Sequence, residues 1–261
     1  MIVQFHKYQG TGNDFVVIDN RKHEYASLTS DQIRRLCDRR FGIGADGLML
    51  LNTKAGYDFE MKYFNADGRE GSMCGNGGRC IVKFAYHLGI HRSEYKFLAF
   101  DGEHEAEIDT DGSVSLKMKD VDKVRKKHGD FILNTGSPHY VKLVNDVMNE
   151  DVYKKGRDIR YSKDFEQDGI NVNFVEQAGD DEIIVRTYER GVEDETYSCG
   201  TGVTASALVC YHNENGFNEV EVKTLGGSLS VEFDRKDDDT YMNIWLTGPA
   251  DKIFEGKVDV K

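Results

Sequence analysis

Apolar and polar residues alternate along much of the chain. Phe59, Met61 and Tyr63; Val114, Leu116 and Met118; Val172 and Phe174; and Leu229, Val231 and Phe233 each recur at every second position, the period of a strand with one buried face. Helical spacing is rarer. Thr29 followed by Gln32 has the form of a capping box ahead of Ile33, Leu36 and Cys37, which predicts a helix there. Further helices are predicted over 148–160 and directly after Cys74 and Cys199. After Cys74, the positions Ile81, Phe84, Ala85 and Leu88 keep helical spacing and Gly89 supplies a stop; after Cys199, the run Val203 to Val209 is apolar almost all round, as in a helix buried at the centre of a strand-rich unit. The charged stretch Asp120 to Lys127 reads as a boundary and Lys236 to Asp239 as a hairpin tip.

The pattern also repeats. Residues 74–87, CGNGGRCIVKFAYH, and 199–212, CGTGVTASALVCYH, align without a gap at Cys, Gly, Gly, Tyr and His, at an offset of 199 − 74 = 125, which is close to half the chain. Each copy follows a strand and a glycine-bearing turn: Asp58 to Phe64 then Asn65-Ala66-Asp67-Gly68, and Ile183 to Tyr188 then Glu189-Arg190-Gly191. The chain reads as two related halves, each presenting one Cys-Gly-x-Gly unit before a helix.

Composition narrows the function. The 261 residues carry 34 Lys and Arg against 46 Asp and Glu, a net charge of −12, with 39% hydrophobic, 11% aromatic and 31% charged residues, the makeup of a chain able to bury a core. Such an acidic balance repels phosphate backbones and argues against nucleic acid as a partner. No apolar run of about 18 residues and no basic-then-apolar start argue against a membrane span or secretory leader. Five cysteines, Cys37, Cys74, Cys80, Cys199 and Cys210, are odd in number and lack zinc-ligand spacing, which fits a reduced, cytoplasmic protein without a metal. Cys37, Cys80 and Cys210 lie among apolar helical positions and read as core. Against only 2 prolines, the 27 glycines fall partly in tight clusters, and these mark where to look for a site.

A cysteine at a helix N-terminus lies beside unpaired N–H groups and the positive end of the macrodipole, both of which favour thiolate. Glycines next to it let an anion such as a carboxylate approach the same N–H groups. Two such units related by duplication suggest two sulfurs on opposite faces of one substrate. That arrangement inverts a carbon carrying a weakly acidic hydrogen: a thiolate takes the proton on one face and a thiol returns one on the other, while the charge spreads into a carboxylate held by helix N-termini.

At these residues the sequence resembles the diaminopimelate epimerases, cofactor-independent enzymes of lysine and peptidoglycan precursor synthesis. The resemblance covers essentially the whole chain through GTGNDFVVID at 10–19, GIGADG at 42–47, FNADGREGSMCGNGGRC at 64–80, TGSPHYV at 135–141, INVNF at 170–174 and ERGVEDETYSCGTGVTAS at 189–206. It implies that Cys74 and Cys199 are the acid/base pair, with His139 and Glu189 tuning them. Asn13, Asn65 and Asn171 would hold the distal end of the substrate, Gly75-Asn76 and Gly200-Thr201 would offer N–H groups to its reacting carboxylate, and Glu189 and Arg190 would also bind it. Without the motif context, the asparagines read as turn caps and Glu189–Arg190 as a surface ion pair.

The implied fold is α/β (α+β): two pseudo-symmetric halves, each a curled, mostly antiparallel sheet around a central helix, with the active site in the cleft between them. The halves would span 1–119, with a C-terminal strand at 250–261 returning to it, and 120–249. The only partner implied is a small amino-acid substrate, no cofactor is needed, and a homodimer is left open. The chain departs from the family pattern at Gly47, where glutamine is common, at Ser137, where asparagine is usual, and in a Glu189–Cys199 interval of 10 residues, one longer than the family's. Another amino-acid racemase of the same fold and a non-catalytic amino-acid-binding protein are the rival readings.

Overall fold

The computed structural model describes residues 1–71, 73–210 and 215–260, with the side chain of Cys210 excepted. Ser72, within the first cysteine motif, and Tyr211 and His212, which close the second copy of the repeat, lie outside the described residues, as does the expected core packing of the Cys210 thiol. The chain divides into two compact units, Met1–Leu116 with Pro249–Lys261, and Lys117–Gly248.

The first unit runs β1 (Ile2–Gly10), β2 (Asn13–Asp19), α1 (Ser30–Cys37), β3 (Gly47–Asn52), β4 (Phe59–Asn65), α2 (Gly75–His87), β5 (Glu94–Ala99), β6 (Gly102–Ile108) and β7 (Val114–Lys117). The second continues with β8 (Arg125–Lys127), β9 (Asp130–Asn134), β10 (Pro138–Leu143), a 3-10 turn (Val147–Asn149), α3 (Val152–Arg160), β11 (Asn171–Gln177), β12 (Glu182–Glu189), β13 (Asp194–Thr196), α4 (Gly200–Cys210), β14 (Gly216–Thr224), β15 (Gly227–Arg235) and β16 (Tyr241–Gly248), and β17 (Asp251–Asp259) then returns to β1. Among the described residues, seventeen strands against four α-helices agree with the dominance of period-2 alternation. Thr29 caps α1 with both hydrogen bonds of the box, Gln32 N to Thr29 Oγ1 at 3.3 Å and Thr29 N to Gln32 Oε1 at 3.1 Å. Gly89 follows α2 at φ +89°, the left-handed conformation of a helix stop.

Each unit uses the same pairing scheme. In the first, β2 pairs parallel with β3, β3 antiparallel with β4, β4 parallel with β5, β5 antiparallel with β6 and β6 with β7. In the second, β10 pairs parallel with β11, β11 antiparallel with β12, β12 parallel with β14, β14 antiparallel with β15 and β15 with β16. The duplication read from two short motifs therefore extends through the topology of both units.

The strand alternation needs one correction. β3 is buried at all six positions, and Asn171 and Asn173 on β11 are 3% and 0% exposed, as inaccessible as Val172 and Phe174, which alternate with them. The reason is a helix on each face. α1 covers Leu48 and Leu50 of β3, and Val152 of α3 joins Val172 and Phe174 of β11 in one cluster. The opposite faces carry α2 and α4, each contacted by strands from across its own unit. Gly77 of α2 shows the closeness, since a Cβ there would stand 3.3 Å from Met49 Sδ and 3.6 Å from Phe15 Cζ.

Candidate active site

In the first unit Cys74 is the N-cap of α2, with extended backbone, φ −101° and ψ 133°, next to the first turn, whose N–H groups have no partner within the helix. Opposite lies the β1–β2 hairpin, a two-residue turn with Thr11 at φ +48° and Gly12 at φ +84°, the left-handed pair that a tight hairpin requires. The turn delivers Asn13. Cys74 Sγ donates to Asn13 Oδ1 at 3.6 Å, Asn76 Nδ2 donates to the same oxygen at 3.4 Å, and Asn13 Nδ2 donates to Asp46 Oδ2 at 2.7 Å. Asp46, a carboxylate that can only accept, thereby fixes which end of the Asn13 amide faces the cysteine.

Behind this, Arg39 Nη2 joins Asp14 and Asp46 at 2.7 Å each, and Lys7 Nζ reaches Asp14 at 2.7 Å. Burial pushes the Asp14 carboxyl up, but the hydrogen bonds from Arg39 and Lys7 outweigh it and hold the group well below the usual carboxylate range. Asn65 ends β4 opposite Gly47, and its Nδ2 lies 3.0 Å from where a Cβ on Gly71 would stand.

Arg79 completes this half-site and was not singled out from the sequence. It is 0% exposed. Its Nη2 donates to Asn76 Oδ1 at 3.0 Å and Thr11 Oγ1 at 3.2 Å, its Nη1 to Gly75 O at 3.4 Å and its Nε to Pro249 O at 3.5 Å. Burial pulls this guanidinium below its ordinary value, and the acidic groups acting on it are the thiols Cys80 and Cys74. The signal available was a charged residue at a buried helical position, four after Gly75, inside an otherwise small or apolar run.

The second unit repeats the frame with different chemistry. Cys199, 8% exposed, precedes α4. Its sulfur lies 3.5 Å from Thr201 Oγ1, which is 2.9 Å from His139 Nε2; Thr135 Oγ1 donates to Thr201 O at 2.8 Å. His139 is fully buried, and desolvation, assisted by the charge of Arg190, lowers its pKa to about 3, so the imidazole is neutral. Asn171 Nδ2 donates to Ser137 Oγ at 2.9 Å and Pro138 O at 3.1 Å, while its Oδ1 accepts from Arg190 N at 2.9 Å. Arg190 Nη1 donates to Asp168 O at 2.9 Å and its Nη2 to Ser137 Oγ at 3.4 Å. Glu189, the last residue of β12, accepts from Thr196 Oγ1 at 3.0 Å.

Thus the first unit gathers Asn13, Cys74 and Asn76, and the second links Cys199, Thr201 and His139 and, separately, Asn171 and Arg190. Both unusual positions find a structural account. A Cβ on Gly47 would come within 2.5 Å of Tyr63 Cε2 and 2.8 Å of Tyr63 Oη, so Tyr63 fills the space a side chain at 47 would take. Ser137 supplies the hydroxyl that joins Asn171 to Arg190. Cys37 and Cys80 behave as core: burial pushes Cys37 up to about 12 and Cys80, 0% exposed, further still. Among the described residues no group of His, Cys, Asp and Glu is arranged to hold a metal, and no helix is long and apolar enough to cross a membrane.

Comparison with known proteins agrees with this frame. The sequence model of the diaminopimelate epimerase family matches residues 5–124 and 131–253. The chain is 46% identical to the diaminopimelate epimerase of Flavobacterium psychrophilum over 254 residues, covering 97% of this chain and 99% of the relative. It is 44% identical to that of Chlorobaculum tepidum over 259 residues, covering 95% and 98%. Among solved structures, a phenazine biosynthesis protein of the PhzF family from Bacillus anthracis matches with a TM-score of 0.75 at 15% identity over 100% of both chains. A hydroxyproline epimerase from Agrobacterium vitis matches with 0.67 at 14%, covering 98% of this chain and 92% of the other. These two distant structures share the fold. With its family match spanning nearly all of both units and relatives alike from end to end, the chain belongs to the diaminopimelate epimerase family.

Proposed function

We propose that the protein interconverts L,L- and meso-diaminopimelate by proton transfer at Cα between the sulfurs of Cys74 and Cys199. The observation that carries this reading is the pair of half-sites: each cysteine stands immediately before a helix whose first residue is glycine, Gly75 or Gly200, and each has a fixed polar partner, Asn13 or Thr201. One sulfur, as thiolate, takes the Cα proton. The electron pair moves into the substrate carboxylate, held by the N–H groups of Gly75-Asn76 and Gly200-Thr201. The other sulfur, as thiol, returns a proton to the opposite face, so the reaction inverts the centre and exchanges which sulfur is ionised.

Asn13, Asn65, Asn171 and Arg190 serve the distal amino and carboxyl groups, while Glu189 also binds the substrate and, with His139, tunes the cysteines. Lysine, which lacks the distal carboxylate, leaves such polar partners unpaired, so discrimination of at least ~10³-fold is expected. Incubating the protein in deuterium oxide with each amino acid tests the reading. Label should enter Cα of diaminopimelate far faster than of lysine or proline. Equal or faster exchange into another amino acid would assign the enzyme a different racemase substrate, and no exchange into any would support a binding protein instead.

A further inference from the structure

The register of the strands matches the two half-sites position by position. Phe15 pairs with Gly47 as His139 pairs with Asn171, and Met49 pairs with Tyr63 as Asn173 pairs with Thr187. Under Gly77 of α2 the duplication therefore places Phe15 and Met49, and under Gly202 of α4 it places His139 and Asn173. One copy is apolar and the other is a hydrogen-bonded chain. The second glycine of Cys-Gly-Thr-Gly is shaped to it, since a Cβ on Gly202 would stand 2.3 Å from Asn173 Oδ1.

The direction of every hydrogen bond in that chain can be worked out. Asn173 Nδ2 lies 3.2 Å from the carbonyl oxygen of Tyr140, which can only accept, so this end of the amide is the NH₂. The same Nδ2 lies 3.1 Å from His139 Nδ1, and Asn173 Oδ1 accepts from Thr187 Oγ1 at 2.9 Å. Nδ1 of the neutral imidazole must then be the acceptor, and its proton lies on Nε2. Nε2–H donates to Thr201 Oγ1, which leaves the threonine hydroxyl proton for Cys199 Sγ. Of the charged groups on the adjoining end of β12, Arg190 opposes protonation of His139 and Glu189 accepts from Thr196.

We infer that Asn173 is a positioning residue: through His139 and Thr201 it aims a hydrogen-bond donor at the Cys199 sulfur and so favours its thiolate. At Cys74 the sulfur instead donates to an Asn13 oxygen held toward it by Asp46, whereas the chain from Asn173 ends at Cys199. This deepens the epimerase reading and rests on it for its catalytic meaning, while the thiol chemistry can be measured without turnover.

The test is the pH dependence of iodoacetamide alkylation, followed separately at Cys74 and Cys199 by peptide mass spectrometry. Asn173→Asp replaces the donor facing Nδ1 with a carboxylate, which draws the imidazole proton to Nδ1. With the ring neutral, Thr201 then donates to Nε2, and Cys199 loses its donor. The alkylation midpoint of Cys199 should rise by about one pH unit, the effect of one hydrogen bond to a charged acceptor, with no such rise at Cys74. Thr201→Val, which keeps the backbone and removes the hydroxyl, should raise the Cys199 midpoint alike. Asn173→Ser serves if the aspartate variant does not fold. An unchanged Cys199 midpoint in folded variants, or equal rises at both cysteines, would overturn the assignment. Absence of diaminopimelate turnover in the unsubstituted protein would instead count against the substrate reading and leave this result standing.

Discussion

At the scale of single residues the two sulfurs carry the sharpest expectation. Cys74→Ala and Cys199→Ala should each lower epimerisation by at least ~10³-fold with the fold retained, because each serves one face of the carbon; turnover near that of the unsubstituted enzyme in either would refute the two-base scheme. Gly47 gives a second test. Gly47→Ala forces a methyl against the Tyr63 ring and against Phe64 O, 2.7 Å away, and should cost about 1–3 kcal/mol in urea unfolding. Tyr63→Ala in the same chain should recover part of that loss, and strictly additive effects would show that the two do not share the space. The cysteines, His139 and the asparagines were legible in the sequence because the motifs name them. Arg79, Asn173 and Tyr63 were not. Each acts through a neighbour brought close by strand register or helix packing, and a residue string does not show which side chain fills another's space.

Among the elements, the local signals translated well. The Thr29–Gln32 box, the Gly89 stop and the hairpin tip at Lys236 to Asp239 all depend on residues a few positions apart, and local chemistry decides them. What alternation could not reveal was a second buried face. Asn171 and Asn173 on β11 look solvent-facing by period, yet α4 covers that side and their amides are satisfied inside it. The helix glycines make this testable. Gly77→Ala meets only the thioether of Met49 and neighbouring apolar atoms and should leave the melting temperature unchanged or raised, since alanine favours helix by up to about 1 kcal/mol over glycine. Gly202→Ala meets the fixed amide of Asn173 and should lower it clearly. Equal melting temperatures would mean that the polar network yields as easily as methionine does.

Across the whole molecule the buried ionisable groups set the acid limit of stability. A histidine in the unfolded chain takes up a proton near pH 6.5, whereas burial, with the help of Arg190, delays His139 to about 3. Between those values the unfolded state binds more protons. Stability should therefore fall as pH drops through the window, by up to about 1.4 kcal/mol per pH unit from this group, with no slope from it above pH 6.5. Asp14 acts lower down: its contribution is present above its ordinary value of 3.8 and is lost as pH falls toward its depressed folded value. His139→Gln should flatten the loss between pH 6 and 4 in urea titrations; an unchanged slope would contradict a buried neutral imidazole.

The return of β17 to β1, paired antiparallel from Ile2 with Asp259 to Gln9 with Asp251 and shifted once in register after Lys7, also bears on vectorial synthesis. The unit that begins the chain is the last to be finished, because Lys117–Gly248 leaves the ribosome entire before Pro249–Lys261 arrives. A nascent chain thus reverses the usual order in which the leading domain folds first. Until the final strand emerges, β1 has β2 on one side and an open edge on the other, which invites pairing with foreign strands. Chains stalled before residue 249 should show protease protection in the second unit while the first is still cleaved, and protection appearing in both units together would show that β17 is dispensable for closing the first.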